Sequence, residues 1–161
     1  MGTTRIALDV LINGHETWSS DWIWGCPLIV VTVIIHVLGL GAISQKAIPI
    51  HDNIRKRSRP AVASAVVLGA TTLGATLLHA LEAAIWAGAY LLIGSLPNVK
   101  SAMLYSLGAL TTYGHQSVFL EDQWRLLGAI EALNGWLLFG LSTAFLFWLI
   151  QQVSPGIRDN H

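Results

Sequence analysis

Charge is what this sequence has least of. Nine basic and nine acidic residues make up 11% of 161, against roughly a quarter in an ordinary soluble domain. The formal net charge is zero, so there is no electrostatic footprint for nucleic acid. Cysteine is nearly absent as well. Cys26 stands alone, which excludes an intrachain disulfide and any cysteine-based metal cluster, leaving a buried or interfacial thiol, or a link between subunits. No Ser-His-Asp arrangement, Walker loop or dinucleotide fingerprint is present, and an enzyme is not expected. The N-terminus is not expected to be a signal peptide, because the apolar run 6–12 is short, is broken by Asp9 and lacks a small-residue cleavage site. It also lacks the Ser/Thr of a myristoylation signal.

What the sequence does have is apolar length. Hydrophobic residues make up 53% of the chain and mean hydropathy is +0.59. A membrane span needs about 20 mainly apolar residues, and three stretches qualify: 22–43, 60–94 (opened by Pro60, a residue suited to a first helical position) and 122–153. Residues 1–21 read as a polar arm, 44–59 as a basic loop and 154–161 as a tail. The loop holds Lys46, Arg55, Lys56, Arg57 and Arg59. The positive-inside rule therefore places it, with the C-terminus, in the cytoplasm and the N-terminus outside, in a cell membrane.

Between the second and third spans the chain is too apolar for an ordinary loop and too short to cross twice. Pro97-Asn98 reads as a turn and helix start, with Asn98 a cap. A half-length helix, 98–110, then leads into the polar string Thr111, Thr112, Tyr113, Gly114, His115, Gln116 and Ser117. Span, half-helix, polar return and span describe a re-entrant pore loop, tolerated at membrane depth only when protein or water covers it. The half-helix dipole would aim partial negative charge at the membrane centre, favouring a cation.

Several strings carry a family resemblance. Leu104-Tyr105-Ser106 through Thr111-Thr112-x-Gly114 resembles the pore helix and filter start of tetrameric potassium channels, whose pattern is Thr-Thr-(Val/Leu)-Gly-Tyr-Gly-Asp. Gly135-Trp136-Leu137-Leu138-Phe139-Gly140-Leu141-Ser142-Thr143-Ala144 resembles their inner helix. Trp124-Arg125-Leu126-Leu127-Gly128 with Glu131-Ala132-Leu133-Asn134-Gly135 is similar to a bacterial "ion channel" branch, two-pore-domain-like, with an extra N-terminal span. The resemblance covers about residues 60–150. It implies an all-α homotetramer in a bacterial inner membrane, conducting K+ or Na+ passively, with no bound cofactor and no partner beyond lipid and its own copies. Gly135 and Gly140 would be a hinge or gate in the inner helix, or else sites of close packing.

The filter departs from the pattern. Ungapped, His115 stands for the Tyr, Gln116 for the second Gly and Ser117 for the Asp. A gapped alignment sets Tyr113-Gly114-His115 against Tyr-Gly-Asp. Either way a filter glycine is missing, and carbonyl rings that replace a hydration shell need backbone angles that Gly adopts most readily. Non-standard selectivity is expected. A ring of four His115 side chains would block, bind metal or respond to pH.

Ionisable residues inside spans mark candidate sites. They are His36 in span one, His79 and Glu82 in span two, and Glu131 in span three, beside the polar Asn134. The pairs 79/82 and 131/134 are spaced i, i+3 and share helix faces. Counted along the helices, His36, Glu82 and Glu131 come to similar depths. Three readings stay open: hydrogen-bonding glue between helices, part of an ion path, or a metal site built from His79, Glu82 and Glu131. Function is thus expected to be a cation channel. The alternatives are a membrane metal-binding protein or transporter, and a non-conducting pseudo-channel subunit.

Overall fold

Long apolar runs favour helices that satisfy their own backbone, and helices are what form. The computed structural model describes residues 2–114 and 118–154, with side chains from Ser19 onward. Its elements are α1 (Gly2–Arg55), α2 (Pro60–Leu92), α3 (Val99–Leu110) and α4 (Arg125–Val153), the last entered through a 3₁₀ turn at Asp122–Trp124. No strand occurs among the described residues. Three helical stretches are long and apolar enough to cross a membrane: Ser19–Arg55, Pro60–Leu92 and Asp122–Val153. At about 1.5 Å per residue each exceeds the roughly 30 Å of a hydrocarbon core.

Two boundaries differ from the sequence reading. Residues 44–55 are not loop, and the arm preceding Trp22 is not separate from the first span; both belong to α1. The basic residues and Pro49 read locally as a stop. Tertiary contacts override them: Ala47 packs with Val67, Leu149 and Val153, and buried His51 meets Ser64 Oγ at 3.3 Å. Ser64 in turn donates to the Val153 carbonyl at 2.6 Å. The connection from α1 to α2 shrinks to four residues, 56–59.

Contacts divide the chain into two units. One takes in α1 up to Thr32 together with Ala83–Trp136, and so contains α3. The other takes in Val33–Glu82 with α4 from Leu137 onward. In the α3 unit, Asn98 caps α3 by accepting the Ser101 N–H at 2.9 Å. The buried face of α3 comprises Ala102, Tyr105, Ser106, Gly108, Ala109 and Leu110. Ser106 Oγ reaches the Ala83 carbonyl at 2.7 Å, which lies roughly 13 Å inside the end of α2. On α4, Gly128 lies under Tyr105 and Gly135 under the Leu110 backbone. The helix therefore runs beside α2 and α4 and ends roughly 15 Å along α4.

Both contacts require glycine. A Cβ on Gly128 would collide with the Tyr105 hydroxyl, and one on Gly135 with the Leu110 carbonyl. Gly140 meets nothing within 4 Å. Gly135 is thus a close-packing position, whatever bending it also allows. Gly135→Ala should cost about 1–3 kcal/mol through overpacking, whereas Gly140→Ala should be neutral or stabilising by up to about 1 kcal/mol. Thermal unfolding of the detergent-solubilised variants measures both, and equal effects would refute the close packing.

Candidate functional site

In the unit without α3, side chains from three helices converge. Spacing of i, i+3 puts His79 and Glu82 on one face of α2, and α1 brings His36 against it. Glu82 Oε1 lies 2.7 Å from His36 Nδ1, and Oε2 lies 3.1 Å from His79 Nδ1. The other ring nitrogens share a partner on α4: Ser142 Oγ is 3.1 Å from His79 Nε2 and 3.1 Å from His36 Nε2. Carboxylate, imidazole, hydroxyl and imidazole close into a four-membered circuit. His36 and Glu82 are fully buried, and the His79 side chain is 12% exposed. Phe139 stacks on the His79 ring at 4.4 Å.

Glu131 belongs to the other unit. It is buried in the α3 unit, where Tyr90 donates to Oε2 at 2.7 Å and Ser106 Oγ makes a very short contact with Oε1. Of the residues considered from sequence as a metal set, His79 and Glu82 lie together with His36 in this unit. Depth along a helix is readable by counting, but the direction a residue faces depends on how the helices pack. Asn134 sits apart from both carboxylates' hydrogen bonds, donating to Thr32 Oγ1 at 2.8 Å. Its own Oδ1 has no partner among the described residues.

Ser106 and Ser142 were not singled out by sequence reasoning, nor was Tyr90. Their hydroxyls are common in helices, and the signal available was only that each lies on a helix opposite a carboxylate. Asp21, within the polar arm of the sequence reading, is buried, 2% exposed, and its Oδ1 has no partner among the described residues. The residue accepts a hydrogen bond from the Leu127 N–H and so caps the first turn of α4, where orphan N–H groups and the helix dipole favour a carboxylate. Trp86 is fully buried too, and its Nε1 has no partner among the described residues.

Of the predicted filter, Thr111, Thr112, Tyr113 and Gly114 follow α3 directly and are exposed. His115, Gln116 and Ser117 lie outside the described residues. The N–H groups of Thr111, Thr112 and Gly114 turn back onto the carbonyls of Leu107, Ala109 and Gly108. Thr112 has φ 56° and Gly114 φ 84°. A β-branched residue is rarely found in the left-handed region. The outer side of α3 and this segment border a hollow of about 180 Å³ lined by Leu104, Leu107, Gly108, Thr111 and Tyr113. No family model, curated protein or solved structure matches the chain.

The Glu131 contacts make a proton count possible. Ser106 Oγ faces two acceptors, the Ala83 carbonyl and Glu131, with one proton of its own. If Glu131 is a neutral acid, it donates to Ser106, Ser106 donates to Ala83, and every bond is filled. Glu131→Gln, which keeps both a donor and an acceptor, should then stay within about 1 kcal/mol of wild type. Glu131→Ala should lose about 1–3 kcal/mol for the orphaned hydroxyls beyond the cavity itself. Equal destabilisation of the two variants in thermal unfolding would rule out this proton arrangement.

Proposed function

We propose that the chain is a pore-loop subunit that conducts monovalent cations through a four-fold assembly in a bilayer. One observation carries the reading. Alongside two helices long enough to span, α3 ends at Leu110 against Gly135, and the segment after it, Thr111–Gly114, is exposed. Irregular backbone at membrane depth is stable only against protein or water. Copies of the same segment around a shared water-filled axis provide both, and the hollow beside α3 is the face that a neighbouring copy covers. The resemblance of Thr111-Thr112-x-Gly114 and Gly135–Ala144 to potassium-channel strings supports the same arrangement.

The chemistry favours cations. Because the N–H groups of Thr111, Thr112 and Gly114 are spent on the end of α3, the segment has mainly carbonyl and hydroxyl oxygens left to offer. The partial negative charge at the C-terminal end of a helix adds to this. Thr112 holds a strained φ that Gly would adopt more easily, and strain of this kind gathers at functional segments. A hydroxyl kept there is consistent with a ligand for a partly dehydrated ion. The missing filter glycine argues for weak discrimination between K+ and Na+. With the basic end of α1 and residues 56–59 on the cytoplasmic side, the C-terminus is cytoplasmic.

Native mass measurement of protein in lipid nanodiscs should give four chains, and a monomer or dimer would end the channel reading. In planar bilayers the protein should pass cation current, with a reversal potential that follows the potassium and sodium gradients. An anion-selective current would contradict the oxygen-lined path. A tetramer silent under every gradient would mark a structural or regulatory subunit. Thr112→Gly should leave thermal stability unchanged or raise it by up to about 1 kcal/mol while lowering conductance, a split that a purely structural Thr112 would not produce.

A further inference from the structure

We propose that His36, His79 and Glu82 form a binding site for a divalent transition metal of the zinc class, a site independent of the pore-loop reading. The candidate ligand atoms lie within 4.8 Å of one another. Two imidazoles and one carboxylate, without thiolate, suit zinc, cobalt, nickel or iron rather than monovalent copper. They are also a recognised three-ligand set for zinc, one that leaves a fourth position for water. The same groups that make the circuit supply this set: both histidines turn Nδ1 toward Glu82, at 2.7 and 3.1 Å. Both ring nitrogens thus already lie beside one carboxylate, each at a different oxygen, and ligand atoms held roughly 2 Å from one ion would be only a little farther apart.

The opposite side of the circuit favours a metal over hydrogen bonds alone. Both Nε2 atoms face the single Ser142 hydroxyl, which has one proton to give. If the two Nδ1 atoms carry protons for Glu82, both Nε2 atoms are acceptors and one of them goes unfilled. The circuit then needs one further proton, held on an imidazole or on Glu82. With a metal bound at Nδ1 no added proton is needed on the imidazoles or on Glu82. Each Nε2 then carries the ring proton, and both donate to Ser142 Oγ, which has lone pairs for two. Metal-bound histidines regularly pass their second ring N–H to such an outer acceptor, and it fixes their tautomer and orientation. Glu82 supplies the negative charge, Phe139 stacks over His79, and the ion would tie α1 to α2 directly and to α4 through Ser142.

Tag-free, full-length protein in detergent is loaded with Zn2+ or Co2+, desalted and assayed for metal by elemental analysis. One ion per chain is expected, with visible d–d bands of four-coordinate cobalt, an X-ray absorption shell containing two imidazoles, and a higher unfolding temperature on loading. Glu82→Gln and His79→Ala should abolish stoichiometric binding. Ser142→Ala, which leaves all three ligands in place, should keep the stoichiometry but weaken affinity by about 10–100-fold. Folded wild-type protein that retains no metal, or whose absorption shell lacks the two imidazoles, would overturn the site. So would undiminished binding in folded Glu82→Gln protein. If that variant does not fold, the wild-type absorption shell decides alone. Ion conduction enters none of these readouts, so a silent channel leaves them unaffected.

Discussion

A carboxylate in an apolar helical bundle has no water to lean on, and the packing of this chain is organised around that constraint. Among the described residues three are buried: Asp21, Glu82 and Glu131. Each is answered by a different chemistry. Asp21 takes a backbone N–H at the start of α4, Glu82 takes two imidazoles, and Glu131 takes the hydroxyls of Tyr90 and Ser106. Each hydrogen bond between membrane helices contributes little, on the order of 1 kcal/mol. The larger effect is on alternatives. A rotation of α2 that exposed Glu82 to lipid would leave a bare carboxylate in hydrocarbon, at a cost of several kcal/mol. The polar groups therefore select one helix rotation out of many that would pack apolar surface equally well.

Small residues make those bonds geometrically possible. Ser106 can reach the Ala83 carbonyl because α2 presents no bulk there, and α3 can lie on α4 because Gly128 and Gly135 carry no Cβ to meet Tyr105 and Leu110. In lipid there is no hydrophobic drive to bring helices together, so close contact and hydrogen bonding must supply it. The Glu131–Ser106 contact and the Gly135–Leu110 contact are two parts of one solution. One requires α3 to be near, and the other permits it.

The three apolar helices were legible in the sequence because a bilayer imposes a length that few other environments demand. The extent of α1 was not. Pro49 and the basic residues argue locally for a stop, and only the packing of Ala47 and the burial of His51 keep the helix going to Arg55. The same limit applies to the polar cluster. Spacing of i, i+3 put His79 and Glu82 on one face, but that His36 meets them depends on how the helices are turned toward each other. Sequence carries height along a helix and only weakly carries that angle. Asp21 shows the converse error: an acidic residue beside tryptophans looks like a surface group until the helix N-terminus that it caps is in view.

What the chain satisfies for itself also defines what it leaves over. Glu82 is enclosed by the chain's own side chains, yet Thr111–Gly114, at the end of a helix packed beside two spans, has spent the N–H groups of Thr111, Thr112 and Gly114 and stays exposed. Exposed apolar residues such as Leu77, Leu133 and Trp136 need no explanation in a bilayer, since lipid covers them without penalty. Exposed backbone oxygens at the same depth would be penalised. The two kinds of exposure therefore carry different information, and only the second points to water or to another copy of the chain. On the pore-loop reading, the strained Thr112 lies in that stretch, where a positive φ adds cost to backbone already short of partners. On the same proposal, a subunit built this way would be stable only with its exposed segment facing an aqueous axis, which would tie assembly and ion passage to the same few residues.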